Sequence, residues 1–493
     1  MKTRLLRVLV AAVTLAGAAA LTMVLRSAFL EADEVPQGEA YRFEFDESGA
    51  PGRLALALQL PTVGTEEPTV ADSGAWLSLH RHLEEAFPLV HRVLKAETVS
   101  DLSLLYRWPG SEPGLDPILL TAHMDVVAAT PDTTGPWQYG PFSGAIARGY
   151  IWGRGTIDAK GPMVGMLEAV EGLLAAGFSP RRTVLLAFGH DGEAEGEGAR
   201  QIVDLLSASE TRLSWVLGEG LYLVSDLIPG LRDPVGMVGV AEKGTMNLRL
   251  VARAAGSSGP LPPRRSALGL LSRALVRIED QAFEPEIRGP ALELLDIIGP
   301  LMDPGTRLLV ANLWLLEAPL ASALTESLIL NTSLRTTISP TSIELTPGDA
   351  TLPSEATAFL RAGIAPWDSE ESVLDRIRDL VSDLEVEVEA VGTATQAAAV
   401  LDWEAPRGVG FEVLKGAIHR SFPDVVAVVP ALVPHPTDAR HFSAITDHVY
   451  GFTPFRIGEE NLATIHGKGE RVRVSAYLDV VRFYAELIRR GAE

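Results

Sequence analysis

Not one cysteine occurs in the chain. Disulfides, thiolate metal sites and cysteine nucleophiles are thereby excluded, and any bound metal falls to His, Asp and Glu. Positive charge is also scarce: 42 lysines and arginines against 64 aspartates and glutamates leave a net charge of −22. Nucleic-acid binding needs clustered positive charge to meet phosphate, so no nucleic-acid partner is expected. Internal repeats and low-complexity tracts are missing as well, apart from the N-terminus. What the chain does have is length and apolar content: 493 residues, 47% of them hydrophobic, exceed what one core usually supports. Two folding units are expected.

The N-terminus sets Lys2, Arg4 and Arg7 before an apolar-to-small run from Val8 to Leu25, which Arg26 closes. This is the build of an export signal or a membrane anchor. Eighteen residues sit at the lower limit for spanning a bilayer and exceed a usual signal core, while Ala18 and Ala20 permit cleavage. Both readings export the remainder, as a membrane-anchored or a periplasmic or secreted protein. Basic residues before the run and Glu31, Asp33 and Glu34 after it put the N-terminus inside. Residues 1–30 carry four positive charges and no acid, leaving −26 on the body. A body so acidic is repelled by anionic lipid, and membrane contact is expected through the N-terminal segment only.

Further along, Trp76, Leu79, Leu83 and Phe87 repeat at helical spacing over Ala75–Phe87. Short apolar runs at Ser103–Trp108, Pro117–Ala122, Thr183–Phe188 and Trp215–Leu217 read as buried strands. Between them, Gly161–Ala176 gathers Met163, Met166, Leu167, Val170 and Leu174 on one helix face. Strands alternating with helices make this part α/β. From Gly244 the texture changes to an alternating strand, a Pro-rich turn at Pro260–Pro263 and a helix over Ser266–Asp280. A strand near Ala356–Arg361, a helix over Glu370–Leu384 and a strand at Val386–Val391 complete a second unit. The Leu-rich stretch Pro290–Leu330 looks helical and carries no chemistry of its own; packing or a hydrophobic rim is its expected role.

Acids and histidines stand just past several strand ends, where ligand sites of open α/β sheets gather. His123 and Asp125 follow the second run and share a face in extended chain, so Asp125 can orient the imidazole. Taken alone, the pair equally describes a structural histidine satisfied by its neighbour. Asp158 ends a glycine-rich turn running into a helix, where it can also be read as a helix N-terminal carboxylate. Glu193 and Glu219 follow two further strands, and His466 lies far downstream; isolated acids in loops are usually only solvated.

In order, however, Ala122-His-Met-Asp-Val-Val127, Gly153-Arg-Gly-Thr-Ile-Asp158, Phe188-Gly-His-Asp191, Glu242-Lys-Gly244, Thr437-Asp-Ala-Arg-His441 and Ile465-His-Gly467 resemble the zinc aminoacylase/carboxypeptidase family. The similarity is greatest to the branch of carboxypeptidase S and the N-fatty-acyl-amino-acid hydrolases, and it spans nearly the whole chain after the leader. It implies a zinc-exopeptidase-like catalytic domain, a central mixed sheet flanked by helices, with an inserted smaller α+β lid. The implied division is a leader over 1–30, catalytic domain over 45–244 and 396–493, and a lid of the dimerisation type over 245–395. Also implied are two Zn2+, one held by His123, Asp158 and Glu219, the other by Asp158, Glu193 and His466, with Asp158 shared. The implied reaction is hydrolysis of an amide in an N-acyl amino acid or short peptide, with Arg361 and Arg440 as candidate carboxylate clamps.

The sequence departs from the family where protons move. Gly192 stands where relatives carry the glutamate that relays the proton, and losing such a base typically costs about 10² to 10⁴ in rate. Restoring it, Gly192→Glu, is expected to raise turnover. Glu195 is a candidate surrogate base. The family's Gly-His-Ser-Ser reads Gly256-Ser-Ser-Gly259, its His-Gly-x-Asn-Glu reads His466-Gly-Lys-Gly-Glu470, an expected Asn near Ala350 is lost, and Gly218 precedes Glu219 where this branch often has Asp. Two readings follow: a working di-zinc hydrolase, or a metal-binding but catalytically silent relative that binds an acylated ligand or a protein partner.

Overall fold

The computed structural model describes residues 2–32, 41–64, 73–129, 137–194, 196–254, 263–281, 283–346, 352–397 and 408–493. Glu195, Gly256–Gly259, Ala350 and the start of the Pro260 turn lie outside them. Strands run in chain order as β1 (Lys95–Val99), β2 (Ser103–Trp108), β3 (Ile118–His123), β4 (Ala145–Ala147), β5 (Tyr150–Trp152), β6 (Val184–Gly189), β7 (Trp215–Val224) and β8 (Val235–Glu242). There follow β9 (Gly244–Arg253), β10 (Thr337–Leu345), β11 (Glu355–Ile364), β12 (Val386–Thr395), β13 (Ala427–Val433), β14 (Val449–Ile457) and β15 (Arg471–Arg473).

The main sheet has the order β1-β2-β6-β3-β7-β14-β8-β13. Its centre is parallel, β3 pairing with β6 and β7, and β7 with β14. Every residue of β3 and β6 is buried, which explains their unbroken apolar sequence: parallel strands covered on both faces have no solvent side to alternate toward. One face packs on the helices Ala50–Leu58, Lys160–Ala175 and Val474–Gly491; the other packs on Glu197–Ala208 and the turn Asp438–Ala444. The C-terminal helix meets this core through Tyr477, Val480, Val481, Tyr484 and Ile488, spaced three and four apart.

The second sheet, β10-β11-β9-β12, is antiparallel. In β11, Ala356, Ala358, Leu360, Ala362 and Ile364 face a separate core shared with the helices Ala267–Gln281 and Glu370–Val381. This is the lid. Lys243 sits between β8 and β9 at the crossing from one unit to the other, its Nζ donating to Thr332 O, Arg335 O and Thr337 Oγ1 at 3.0, 2.8 and 3.0 Å. The Leu-rich stretch is helical, as expected, over Pro290–Ile298, Pro304–Ala311, Leu313–Leu324 and Leu328–Leu334. Rather than joining the lid core, it packs on the edge of the main sheet, against Val224, Val235, Met237 and Val429.

Candidate metal centre

Parallel register sets the first side chains. His123, the last residue of β3, lies opposite Gly189, the last of β6. Past these ends the chain turns, and His123 Nδ1 meets the Asp125 carbonyl at 3.0 Å and its Oδ1 at 3.1 Å. The same buried carboxylate accepts the Gly192 N–H at 2.8 Å and the Glu193 N–H at 3.0 Å. Asp125 therefore fixes both the imidazole and the loop that bears Glu193. Holding the proton on Nδ1 leaves the Nε2 lone pair free to bind.

That Nε2 lies 3.0 Å from Glu219 Oε2 and 3.2 Å from Asp158 Oδ1. The other Asp158 oxygen is 2.9 Å from His466 Nε2, which is 3.3 Å from Glu193 Oε1. His123, Asp158 and Glu219 form one group and Asp158, Glu193 and His466 another, ligand atoms in each lying within 4.8 Å of one another. Asp158 belongs to both. It does not cap its helix, whose N-cap is Ala159 with no side-chain bond. Glu219 lies within β7 where the register with β14 breaks between Gly451 and Phe452. A Cβ on Gly220 would lie 2.5 Å from the Gly451 carbonyl carbon, so only glycine allows this close strand crossing.

These residues suit divalent cations. Glu193 Oε1 and Glu219 Oε2 are buried yet have no hydrogen-bond partner of sound geometry; each instead faces an imidazole nitrogen. Buried, unpartnered carboxylate oxygens are costly unless a cation meets them. Three carboxylates and two imidazoles match the N and O donors that zinc takes. In the cation-free cluster, burial pulls the His123 imidazole down, but Glu219, Asp125 and Asp158 hold it well above its usual value. Burial and the adjacent Asp158 push Glu219 up to about 8. The hydrogen bond to Asp158 and the adjacent Glu193 carboxylate carry His466 to about 10. A divalent cation held here would compete with protons for these groups, so its binding would be pH-dependent.

A second tier escaped the sequence reading. Glu470 accepts the Ile157 N–H at 3.0 Å and Arg154 Nη1 at 2.8 Å, while Arg154 Nη2 donates to the His466 carbonyl at 3.0 Å. The turn before Asp158 and the turn bearing His466 are thus tied by one buried ion pair. His466 needs the tie, since its φ of +56° is left-handed and costs a non-glycine residue about 1 kcal/mol or more. Glycine spacing and a lone Glu gave no cue to this link. Asp438 is buried, and burial pushes its carboxyl and that of Glu242 up to about 7, against the opposing charge of Arg440, half-buried in the same turn. Arg361 is exposed on β11 of the lid. Asp191 accepts the N–H groups of Glu197 and Gly198 at 2.7 and 2.8 Å, at the start of the following helix.

Residues 119–490 match Peptidase family M20/M25/M40. The chain belongs to that family. Within it, a probable carboxypeptidase S-like protein 2 of Dictyostelium discoideum is 34% identical over 442 residues, 89% of this chain and 84% of the relative. The human N-fatty-acyl-amino acid synthase/hydrolase PM20D1 is 31% identical over 442 residues, covering 89% and 87%. Among solved structures, human carnosine dipeptidase 1 superposes with a TM-score of 0.62 at 15% identity over 90% of this chain and 96% of that one. A metallo-carboxypeptidase of Sulfolobus solfataricus gives 0.58 at 16%, over 90% and 99%. As an M20-type protein, the chain is a metal-dependent hydrolase by descent, with a catalytic domain and a lid.

Proposed function

We propose that this M20-type chain is an exported two-zinc amide hydrolase acting on N-acyl amino acids or short peptides. The observation that carries the reading is the pair of ligand groups that share Asp158. His123, Asp158 and Glu219 would hold one ion and Asp158, Glu193 and His466 the other. Such ions polarise an amide carbonyl and acidify water at neutral pH. Asp125 aims His123 and anchors the Glu193 loop; Arg440 and, from the lid, Arg361 would be the clamps for the substrate carboxylate. A cavity of about 1260 Å³ bordered by Leu227, Ile228, Leu328, Leu462 and Ala463 adjoins the turn of His466 and offers apolar volume for an acyl group. The named activity of the PM20D1 relative agrees with that substrate class.

Proton transfer is where this chain differs. Gly192 carries no group for it. Of the two nearby acids, Glu197 is bound to Arg200 and to Gln201, the latter at 2.6 Å, which leaves Glu195 as our surrogate base. The helix Lys2–Ala28 contains the one segment among the described residues long and apolar enough to cross a membrane, in keeping with an anchor or an export signal.

The test offers zinc-loaded protein a panel of N-acyl amino acids and dipeptides. Release above a His123→Ala control, lost on chelation, is expected. A second reading, a metal-binding but silent relative that holds an acylated ligand or a protein partner, draws support from Gly192, where a Cβ would lie 2.5 Å from His123 Cγ. Zinc binding without any release would favour it.

A further inference from the structure

The Leu-rich helical stretch adjoins the N-terminal helix. Arg307 donates to the carbonyls of Ser27 and Leu30, both at 2.8 Å, and so caps the end of that helix, where a cation also suits its dipole. Arg26 Nε donates to Ala311 O at 3.1 Å, and the buried Asn312 amide to Met23 O at 3.1 Å. Four polar contacts over two turns fix the apolar helix to the body; it is not a loose tether.

These contacts also set a height. Met23 lies inside the apolar run, three residues before Arg26, or about 4.5 Å along the helix axis. Asn312 is level with it, and the next helix, Leu313–Leu324, begins there. Trp314 and Leu315, exposed at 67% and 55%, precede a kink at Leu316, and Glu317, Ala318 and Pro319 after it are exposed as well. Glu317 is its one charged residue. The helix Pro304–Ala311 packs on the span, at the roughly 8–10 Å typical of packed helices, and Leu313–Leu324 packs on it in turn, which keeps Leu313–Leu324 close to the lipid around the span. Tryptophan at the level where an apolar span ends sits in the interfacial belt of a bilayer.

We infer that the kinked segment Leu313–Leu324 is a second membrane contact, resting the exposed Trp314 and Leu315, with Ala318 and Pro319 beyond the kink, in the outer boundary of the bilayer that the Lys2–Ala28 helix enters. The surface extends contact beyond the leader, to which the charge of the body would otherwise confine it, and holds the catalytic unit in one orientation on neutral lipid. It rests on the N-terminal helix being retained as an anchor, and is independent of the hydrolase reading.

Because the chain has no cysteine, a single introduced one is a unique label site. Full-length protein in phosphatidylcholine nanodiscs would carry a nitroxide at Leu315→Cys, at Leu15→Cys within the span, or at Val409→Cys, a residue 75% exposed on the helix Gly408–Ser421. The ratio of oxygen to nickel-chelate collision is expected to be several-fold higher at Leu315→Cys than at Val409→Cys, and to approach that of Leu15→Cys. Leu315→Cys matching Val409→Cys while Leu15→Cys reads as lipid would overturn the docking face. Leu15→Cys reading as water, or a mature protein lacking Val8–Leu25, would overturn the anchor beneath it. Amide hydrolysis by the same samples is scored separately and bears only on the hydrolase.

Discussion

Adding a single carbon at Gly192 probes how tightly its loop is held against His123. An alanine Cβ there would lie 2.5 Å from His123 Cγ, 2.6 Å from its Cβ and 2.8 Å from its Cδ2. The imidazole cannot step aside, because Asp125 holds Nδ1 and β3 holds the backbone. The loop must retreat instead, by roughly 0.9 Å, to bring 2.5 Å out to the 3.4 Å of ordinary contact. That displacement takes the Gly192 and Glu193 N–H groups out of reach of the Asp125 carboxylate, to which they now bond at 2.8 and 3.0 Å. Two hydrogen bonds to a charged acceptor, each worth about 1.5–3 kcal/mol, set an upper scale of about 3–6 kcal/mol, and partial relaxation brings the expected loss to about 2–3 kcal/mol. Denaturant unfolding of Gly192→Ala without metal reads this, and zinc titration should show weaker binding as Glu193 moves. Stability within about 0.5 kcal/mol of the parent with unchanged zinc affinity would refute the reasoning. Gly192→Glu imposes the same displacement and adds a proton carrier. Its turnover, set against Gly192→Ala rather than the parent, isolates the gain of about 10²-fold or more that a placed base gives.

Asp125→Asn, which sets an amide N–H against one of three donors, is expected to weaken zinc binding about 10–100-fold; competition with a chelating dye measures it, and unchanged affinity would remove Asp125 from its positioning role. Arg154→Ala leaves Glu470 buried and unpaired and frees the His466 carbonyl. A destabilisation of about 3–5 kcal/mol should appear by chemical denaturation, with reduced metal occupancy by elemental analysis. Burial pushes the Glu242 carboxyl up to about 7, against the lowering effect of the two Thr437 donors. The fold thus prefers the protonated acid, and its contribution is full below the ordinary 4.5 and is lost as pH rises to about 7. Metal-free parent should lose up to about 3 kcal/mol more than Glu242→Gln between pH 4.5 and pH 7.5, and parallel stability curves for the two would contradict this.

Much of the catalytic half was legible because its signals are local. Strands buried on both faces must be largely apolar, so β2, β3 and β6 stood out to within a residue, as did the helix Lys160–Ala175. The lid strands β9, β11 and β12 showed their alternation for the opposite reason, one face being solvated. The terminal helix Val474–Gly491 and strands β8, β13 and β14 went unassigned, although Val235–Glu242 is an apolar run of strand length. The resemblance supplied the order of His123, Asp158, Glu193, Glu219 and His466, and the types of those side chains already suited a cation.

Composition and order thus determined the cysteine-free donor set, the apolar leader and the family. Tertiary structure decided what lies together. Strand order β6-β3-β7 brings His123, Glu193 and Glu219 to one sheet edge, and the Arg154–Glu470 pair draws in His466 from 308 residues beyond Asp158. Only in space does Gly192 become a loop backbone resting on His123, and the Leu-rich stretch a shelf beside the N-terminal helix. Sequence patterns report the period with which a segment meets its surroundings; which surroundings those are is fixed by long-range packing, where residues hundreds of positions apart share one boundary.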